Sequence, residues 1–428
     1  MKCLWVTLAD PDPPRNGQFL YSRSLIHGLS SVGMDVHVVG LARPRGQHRS
    51  GESSDGVHWW LADHRWSAEH QPSPRWVSLA SLLPQLAAQT NTPPLRRLLH
   101  EHLADQSWDA VVFDSICIGW ALSMVVDHYA GASKRPKLVY LSHNHEETVA
   151  KQIADDTRPF LKRQFKRFDA AKVRRLERWL VRRADLVTSN SPDDCEKFRP
   201  TRPDRRVEFL PPSYDGRRVT ERRITADLPR RAIIVGSFDW VAKRLSLEEF
   251  LAVADPLFEA AGVELYVVGS AADSFLRDLR GRVRATRLTG RVDDIGRYMD
   301  QARLALVPDL LGGFKLKALD YVFNRLPIFA MAGSVPGMPL LDGESICLFN
   351  SHRALAEGVI RAIDDIQLLN RIQNLAYAAS SDQFDKAAIG RRLLRAMSLT
   401  GSARPEPVVA TTISWPTAPK VGSLDSPA

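Results

Sequence analysis

The sequence predicts an α/β protein made of two doubly wound parallel-sheet domains in tandem, facing each other across a cleft. Three observations carry that expectation. Apolar strand candidates alternate with helical patterns twice along the chain, from Leu4 to Leu210 and again from Ala232 to Phe349, and such alternation marks right-handed βαβ units. Between the two series, Pro211-Pro-Ser-Tyr-Asp-Gly216 reads as a boundary, and the charged stretch from Arg217 to Arg231 lacks periodicity and reads as a linker. Finally, 428 residues exceed what one ordinary core organises.

Leu4 to Leu8 reads as a buried strand, followed by the proline-rich loop Asp10 to Gly17. Tyr21, Leu25, Leu29 and Val32 then share one helical face that Gly33 closes, and Val36 to Leu41 forms the second strand. No G-x-G-x-x-G accompanies this βαβ start, so it is not the dinucleotide fingerprint. Residues 43–94, rich in Ser, Pro, Trp and His, carry no assignable pattern. Further strands are expected at Ala110–Phe113, Leu138–Leu141, Asp185–Thr188 and Val207–Leu210. The second series predicts strands at Ala232–Ser237, Val263–Gly269, Leu304–Val307, Pro327–Ala330 and Ser345–Phe349. Helices are expected from about Leu245 to Phe258, near Leu276, around Ile295 to Met299, from His352 to Ile366, and from Leu369 to about Met397. The expected organisation is a first domain over 1–215, a linker over 216–231 and a second domain over 232–370. Helices over 371–400 are expected to pack back on the first domain, and the Pro/Ser/Thr-rich 401–428 to form a disordered tail.

The formal charge of +9 is concentrated between Arg158 and Arg183. Phe165, Phe168, Val173, Leu176 and Leu180 recur there at helical spacing, which predicts an amphipathic helix with a basic face. That face suits solvent first and an anionic membrane surface second. No nucleic-acid motif or aromatic stacking pattern accompanies the charge, so no nucleic-acid partner is expected. Cys3, Cys117, Cys195 and Cys347 have no pairwise spacing of a metal or disulfide framework and read as reduced. No metal constellation is read among the histidines and carboxylates, and no metal or cofactor is expected. The apolar run at the N-terminus is too short for a signal-peptide core, and no apolar stretch is long enough to span a bilayer. The expected location is the cytoplasm, with peripheral contact at the inner membrane face.

The stretch from Pro308 to Asp320 draws the eye within the second series. The apolar run Leu304–Val307 ends at Pro308, Gly312-Gly313 follows, and Leu316, Leu319, Tyr321 and Phe323 fall at the spacing of a buried helix. A strand, a glycine turn and a helix leave unpaired N–H groups at the helix start, where Lys315 and Lys317 add positive charge. A phosphate site and a plain tight loop with solvated lysines fit this stretch equally.

Taken in order, the motifs resemble the bacterial nucleotide-sugar glycosyltransferases of the GT-B fold, in the large retaining group that includes the family 4-like enzymes. Ile234 to Arg244 resembles the group's first donor-domain strand and phosphate loop, and Leu265–Ser270 its second strand. Leu288–Asp294 resembles its base-binding turn, and Gly312–Asp320 its donor-binding turn and helix. In the first half, Asn16-Gly17 stands at the family's glycine-rich loop, Ser142-His-Asn-His-Glu146 resembles its His-Asn-x-Glu loop, and Ala184–Ser191 resembles the strand that ends the domain.

The resemblance implies two Rossmann-like domains, the first for an acceptor and the second for a nucleoside-diphosphate sugar. It implies transfer of a hexose to a glycan, glycolipid or small molecule with retention and without a metal. Lys243, and with it Arg244, would meet the departing diphosphate after the Gly236-Ser237 turn, and Gly313, Phe314 and Lys315 would supply backbone donors. Asp320 would take the ribose, Gly290 and Val292 would hold the base, and Gly17 would approach the diphosphate from the opposite domain. His143 would contact the sugar or its diphosphate, with Glu146 orienting His143 or the acceptor. In the family's best-known branch an acidic pair frames the donor motif. Gly312 stands at the first of those positions here and Asp320 at the second, so a degenerate nucleotide-sugar or partner-binding protein and a nucleotide-sugar epimerase are the alternatives.

Overall fold

The computed structural model describes residues 1–14, 17–43, 50–52, 56–63, 81–201, 203, 206–239, 241–310 and 314–398. The tail 401–428, Asn16, Gly312 and Gly313 lie outside them. Strands β1 (Lys2–Val6), β2 (Asp35–Leu41), β3 (Ser50–Glu52), β4 (Val57–Ala62), β5 (Ala110–Asp114), β6 (Lys137–Ser142), β7 (Leu186–Ser189) and β8 (Arg206–Phe209) make the first sheet. Its order is β3-β4-β2-β1-β5-β6-β7-β8, and only the β3–β4 pairing is antiparallel. The second sheet holds β9 (Arg231–Val235), β10 (Glu264–Val268), β11 (Thr286–Gly290), β12 (Leu304–Val307), β13 (Ile328–Met331) and β14 (Cys347–Phe349). These pair in parallel in the order β11-β10-β9-β12-β13-β14.

The apolar runs are continuous because both faces of each sheet are covered. Leu4 and Val6 of β1 join the core on one face with Val39, Val111 and Phe113, while Cys3 and Trp5 join the other with Val36, Val38 and Val112. In the second sheet, Ala232 and Ile234 of β9 face one core, and Ile233 and Val235 face the other. Side chains on a strand alternate faces, so two helical layers on each sheet account for every buried position.

Several expectations change. Residues 43–94 contribute β3, β4, the helix Gln85–Thr90 and the start of the helix Pro93–Asp105. The helical pattern from Leu369 to Met397 is two helices, Ile366–Ser380 and Lys386–Ser398. They separate where Phe384 is buried against Leu319 and Phe323. The chain crosses between domains there, and the Tyr214 N–H donates to the Phe384 carbonyl at 2.9 Å. Helix Lys386–Ser398 then lies on the first domain, placing Ile389, Leu393 and Met397 in the core with Trp5 and Leu25. Residues 217–231 are held on the second domain by Arg222, which donates to the carbonyls of Met299, Asp300, Ala302 and Asn324, and by the fully buried Ile224.

The basic helix spans Phe160–Arg183, but only Val173, Leu176, Leu180 and Val181 of its apolar residues are buried. Phe160, Leu161, Phe165 and Phe168 are exposed, so the predicted apolar stripe is covered over its second half alone. Glu177 on this helix is buried. It accepts from the Glu146 and Glu147 N–H groups at 2.9 and 2.8 Å and from the Tyr140 hydroxyl at 3.2 Å, and burial pushes its carboxyl up to about 8. All four cysteines are free thiols. Among the described residues, no helix is long and apolar enough to cross a membrane.

Candidate functional site

Parallel sheets gather their ligand-binding loops at the carboxyl ends of the strands. In the second domain the loops after β9, β10 and β11 are joined by backbone hydrogen bonds. The Gly236 N–H donates to Val268 O at 3.0 Å, Phe238 N–H to Ser270 O at 2.7 Å, and Gly269 N–H to Gly290 O at 3.0 Å. Gly269 makes this approach possible. Its φ is +143°, and a Cβ there would stand 1.6 Å from the Gly236 carbonyl oxygen. No side chain fits such a position.

Against these loops stands the helix Leu316–Phe323, tied to the sheet by the Tyr321 hydroxyl, which accepts from the Val235 N–H at 2.7 Å. The helix begins at Leu316, so Asp320 lies about one turn into it. Between the domains opens a cleft of about 960 Å³, lined from the first domain by Pro14 and Gly17 and from the second by the β9, β10 and β12 loops and this helix.

The floor of the cleft is an ion cluster. Asp309, directly after β12, accepts from Lys315 Nζ at 2.8 Å and from Lys317 Nζ. Lys243, in the first turn of the helix Val241–Ala261, feels the Asp309 charge as well. All four residues line the cleft. Burial works to raise the Asp309 pKa, but the Lys317 and Lys315 ammonium groups outweigh it and hold the carboxyl below its ordinary value. Burial draws the Lys243 and Lys317 ammonium groups down, with Asp309 acting against it. Lys315 and Lys317 share the Asp309 carboxylate, and Lys243 feels the charges of Asp309 and Asp239, so three cations gather where water is partly excluded, the setting in which fixed charge acts most strongly on an anion.

At the wall beside this floor, Asp239 accepts from the Ser237 hydroxyl at 2.6 Å and from the Ser270 hydroxyl at 2.9 Å. The Ser237 bond, supported by that from Ser270, keeps its carboxyl below the ordinary range. Val292 and Ile295 give an apolar end to the cleft, flanked by Arg291. Burial pushes the Asp320 carboxyl up to about 6, the Tyr214 hydroxyl acting against it.

Of the residues expected from sequence, Gly17, Ser237, Lys243, Val292, Phe314, Lys315 and Asp320 line this one cleft. Gly290 lies behind it, supplying the carbonyl that holds Gly269. Arg244 is not among the lining residues, and its guanidinium stands 5.8 Å from the Phe275 ring centre. His143 and Glu146 lie off the cleft, in the first domain. His143 follows β6, is buried, and places Nε2 2.7 Å from Asp114 Oδ1, with the Tyr21 ring edge-on at 5.3 Å. Asp114 also accepts from Trp5 Nε1 and the Ser22 hydroxyl, each at 3.0 Å. Burial would raise its pKa, but His143, Trp5 and Ser22 together hold it low. Glu146 accepts from Asn144 Nδ2 at 3.3 Å, and burial raises its pKa.

The sequence reading missed Asp239, Arg291, Ile295 and Asp309 as site residues. Asp309 had a signal, an acid at the carboxyl end of a predicted strand six and eight residues before two lysines. Asp239 had none beyond its place in the turn after β9.

Two family models match the chain. One described as a glycosyl transferase 4-like domain matches residues 16–213, and one described as glycosyl transferases group 1 matches residues 229–365. The chain belongs to the GT-B glycosyltransferases. Each model falls on one sheet domain of this glycosyltransferase, and the cleft lies between them. Solved structures share the fold. Sucrose-phosphate synthase from Thermosynechococcus elongatus is 18% identical, with a TM-score of 0.66 over 92% of this chain and 98% of that one. Anabaena HepE in complex with UDP and glucose is 14% identical, with a TM-score of 0.59 over 93% and 99%. WaaG, a glycosyltransferase involved in lipopolysaccharide biosynthesis, is 17% identical, with a TM-score of 0.57 over 94% and 100%. Curated protein sequences give no match.

Proposed function

We propose that this glycosyltransferase binds the diphosphate of its nucleotide-sugar donor on Lys243, Lys315 and Lys317, and transfers a hexose with retention and without a metal ion. The observation that carries the reading is the gathering of three lysines in the cleft floor, Lys315 and Lys317 held on Asp309 and Lys243 lining the cleft with them. Breaking the bond between the anomeric carbon and the phosphate oxygen leaves negative charge on the diphosphate. Ammonium groups already fixed in place stabilise that charge without reorganising. In the retaining path the acceptor oxygen attacks from the face the diphosphate leaves, and the departing phosphate oxygen takes the acceptor proton. Asp320 takes the ribose, and the apolar end at Val292 and Ile295 takes the base. HepE, whose solved forms include one in complex with UDP-glucose, supports a nucleoside-diphosphate donor. His143, held by Asp114 under the helix that begins at Gly17, is assigned to the sugar side.

The purified chain, mixed with a panel of nucleotide sugars, is expected to release nucleoside diphosphate slowly and to do so unchanged in EDTA. Lys243→Ala should lower that release about 100-fold or more while circular dichroism stays unchanged. Undiminished release by this variant removes the phosphate role.

The acceptor is proposed to lie at an anionic membrane surface. Phe160, Leu161, Phe165 and Phe168 stand exposed on the helix that also carries Lys162, Arg163, Lys166 and Arg167. Apolar side chains among basic ones suit the boundary between acidic headgroups and acyl chains.

A further inference from the structure

At the end of the first sheet away from the cleft, three side chains converge that the transfer reaction does not use. Asp35 opens β2, His37 follows it on the same face, and His58 of β4 is the register partner of His37. His37 Nε2 lies 3.0 Å and His58 Nε2 3.3 Å from the same oxygen, Asp35 Oδ1. The two imidazoles stack at 4.3 Å with 19° between their planes, and the Trp108 ring packs edge-on to His37 at 5.0 Å. His37 is thus packed between two rings, His58 and Trp108.

Although an oxygen is 3.0 Å away, the His37 Nε2 makes no hydrogen bond among the described residues, and the side chain is only 7% exposed. The oxygen is therefore off the axis of the ring nitrogen. A lone pair and a carboxylate that miss each other in this way can both point at a third atom between them. We propose that Asp35, His37 and His58 bind a divalent late transition metal, Zn²⁺ by preference.

The donor set supports that choice. Two neutral imidazoles and one carboxylate are ligands for zinc, not for magnesium or calcium, which take oxygen. Tetrahedral zinc with bonds of about 2.0–2.1 Å places its ligand atoms about 3.3 Å apart. The separations at Asp35 already match. All three ligand atoms lie within 4.8 Å of one another, and turning the partly exposed His58 ring out of the stack brings its lone pair onto the same ion. Asp35 and His58 remain 37% and 27% exposed, which leaves a solvent side for a fourth, water ligand. The Lys2 ammonium, opposite Asp35 in the register, bonds Gln106 Oε1 at 3.2 Å. The sequence expectation of no metal constellation rested on ligands within one segment. These come from two strands and meet only through the β2–β4 register.

A metal here would tie β4 to β2 at the far end of the sheet from the donor cleft, so its effect falls on stability and not on transfer. The test is isothermal titration of the full chain, free of any histidine tag, with Zn²⁺, and Co²⁺ titration followed by the visible absorption of a four-coordinate ion. One equivalent should bind, the melting temperature should rise with Zn²⁺, and nucleotide-sugar turnover should be unchanged. His58→Gln, at the more exposed ligand, and Asp35→Asn should each weaken binding at least tenfold. Absence of stoichiometric Zn²⁺ binding by the folded chain overturns the proposal. So does binding that both variants retain at full strength, which would place the ion elsewhere.

Discussion

Asp320, the carboxylate proposed to take the donor ribose, is shifted by burial into the range where enzymes are assayed. It lines the main cleft and also a smaller cavity of about 240 Å³ bounded by Arg23, Ser24 and Tyr214. Its carboxyl is pushed up to about 6. An ionised carboxylate accepts hydrogen bonds from ribose hydroxyls through both oxygens, and protonation removes part of that capacity. The donor KM is therefore expected to rise as pH falls from 7 through about 6, with kcat changing less. Asp320→Asn should show a higher KM at pH 7 and lack that rise. A wild-type KM that tracks the variant's between pH 5 and pH 8 would remove the ribose role. At this scale the sequence was partly legible. Lys315, Lys317 and Asp320 were visible as charges beside a glycine turn, but nothing local showed that Asp309 would draw two ammonium groups inward. Burial of an ion pair is a property of the assembled cleft, and the equal weighing of a phosphate site and solvated lysines reflects that.

Helix Phe160–Arg183 shows the same division between what periodicity carries and what packing decides. Apolar residues at helical spacing gave the helix and its second, buried half correctly, because a stripe facing a core and a stripe facing nothing look alike in one dimension. Val173, Leu176 and Leu180 meet the first domain, whereas Phe165 and Phe168 do not. Glu177, in the same second half, turns inward to hold the start of helix Glu146–Asp156. The uncovered half leads to a direct expectation. The chain should sediment with vesicles containing anionic lipid at low salt, and raising the salt should weaken but not abolish binding, since screening touches the charges and not the aromatic rings. Replacing Phe165 and Phe168 by Ser should remove the salt-resistant fraction. Sedimentation with neither neutral nor anionic vesicles returns the helix to solvent, and equal sedimentation with both removes the role of its basic face.

The two domains are joined where helix Lys386–Ser398 returns to the first, and its seat there rests on a pair of glycines. Helix Lys386–Ser398 returns from the second domain to pack on helix Gly17–Ser31, the helix whose first residue faces Leu316 across the cleft. A Cβ on Gly390 would stand 2.0 Å from the Gly28 carbonyl oxygen, and one on Gly28 would stand 3.2 Å from the Lys386 carbonyl oxygen. Inside a helix, replacing Gly by Ala ordinarily stabilises by about 0.5–1 kcal/mol. Here the sign should reverse, because backbone cannot yield to the methyl as a flexible side chain would, and overpacking of this kind costs about 1–3 kcal/mol. Gly390→Ala is therefore expected to lower the midpoint of urea unfolding, and Gly390→Leu to lower it further. Because the displaced helix shares its partner with the donor cleft, Gly390→Ala should also raise the donor KM at a temperature where the chain remains folded. A Gly390→Ala chain that unfolds at higher urea than the parent would show that helix propensity outweighs the close approach, and that the two helices separate without loss.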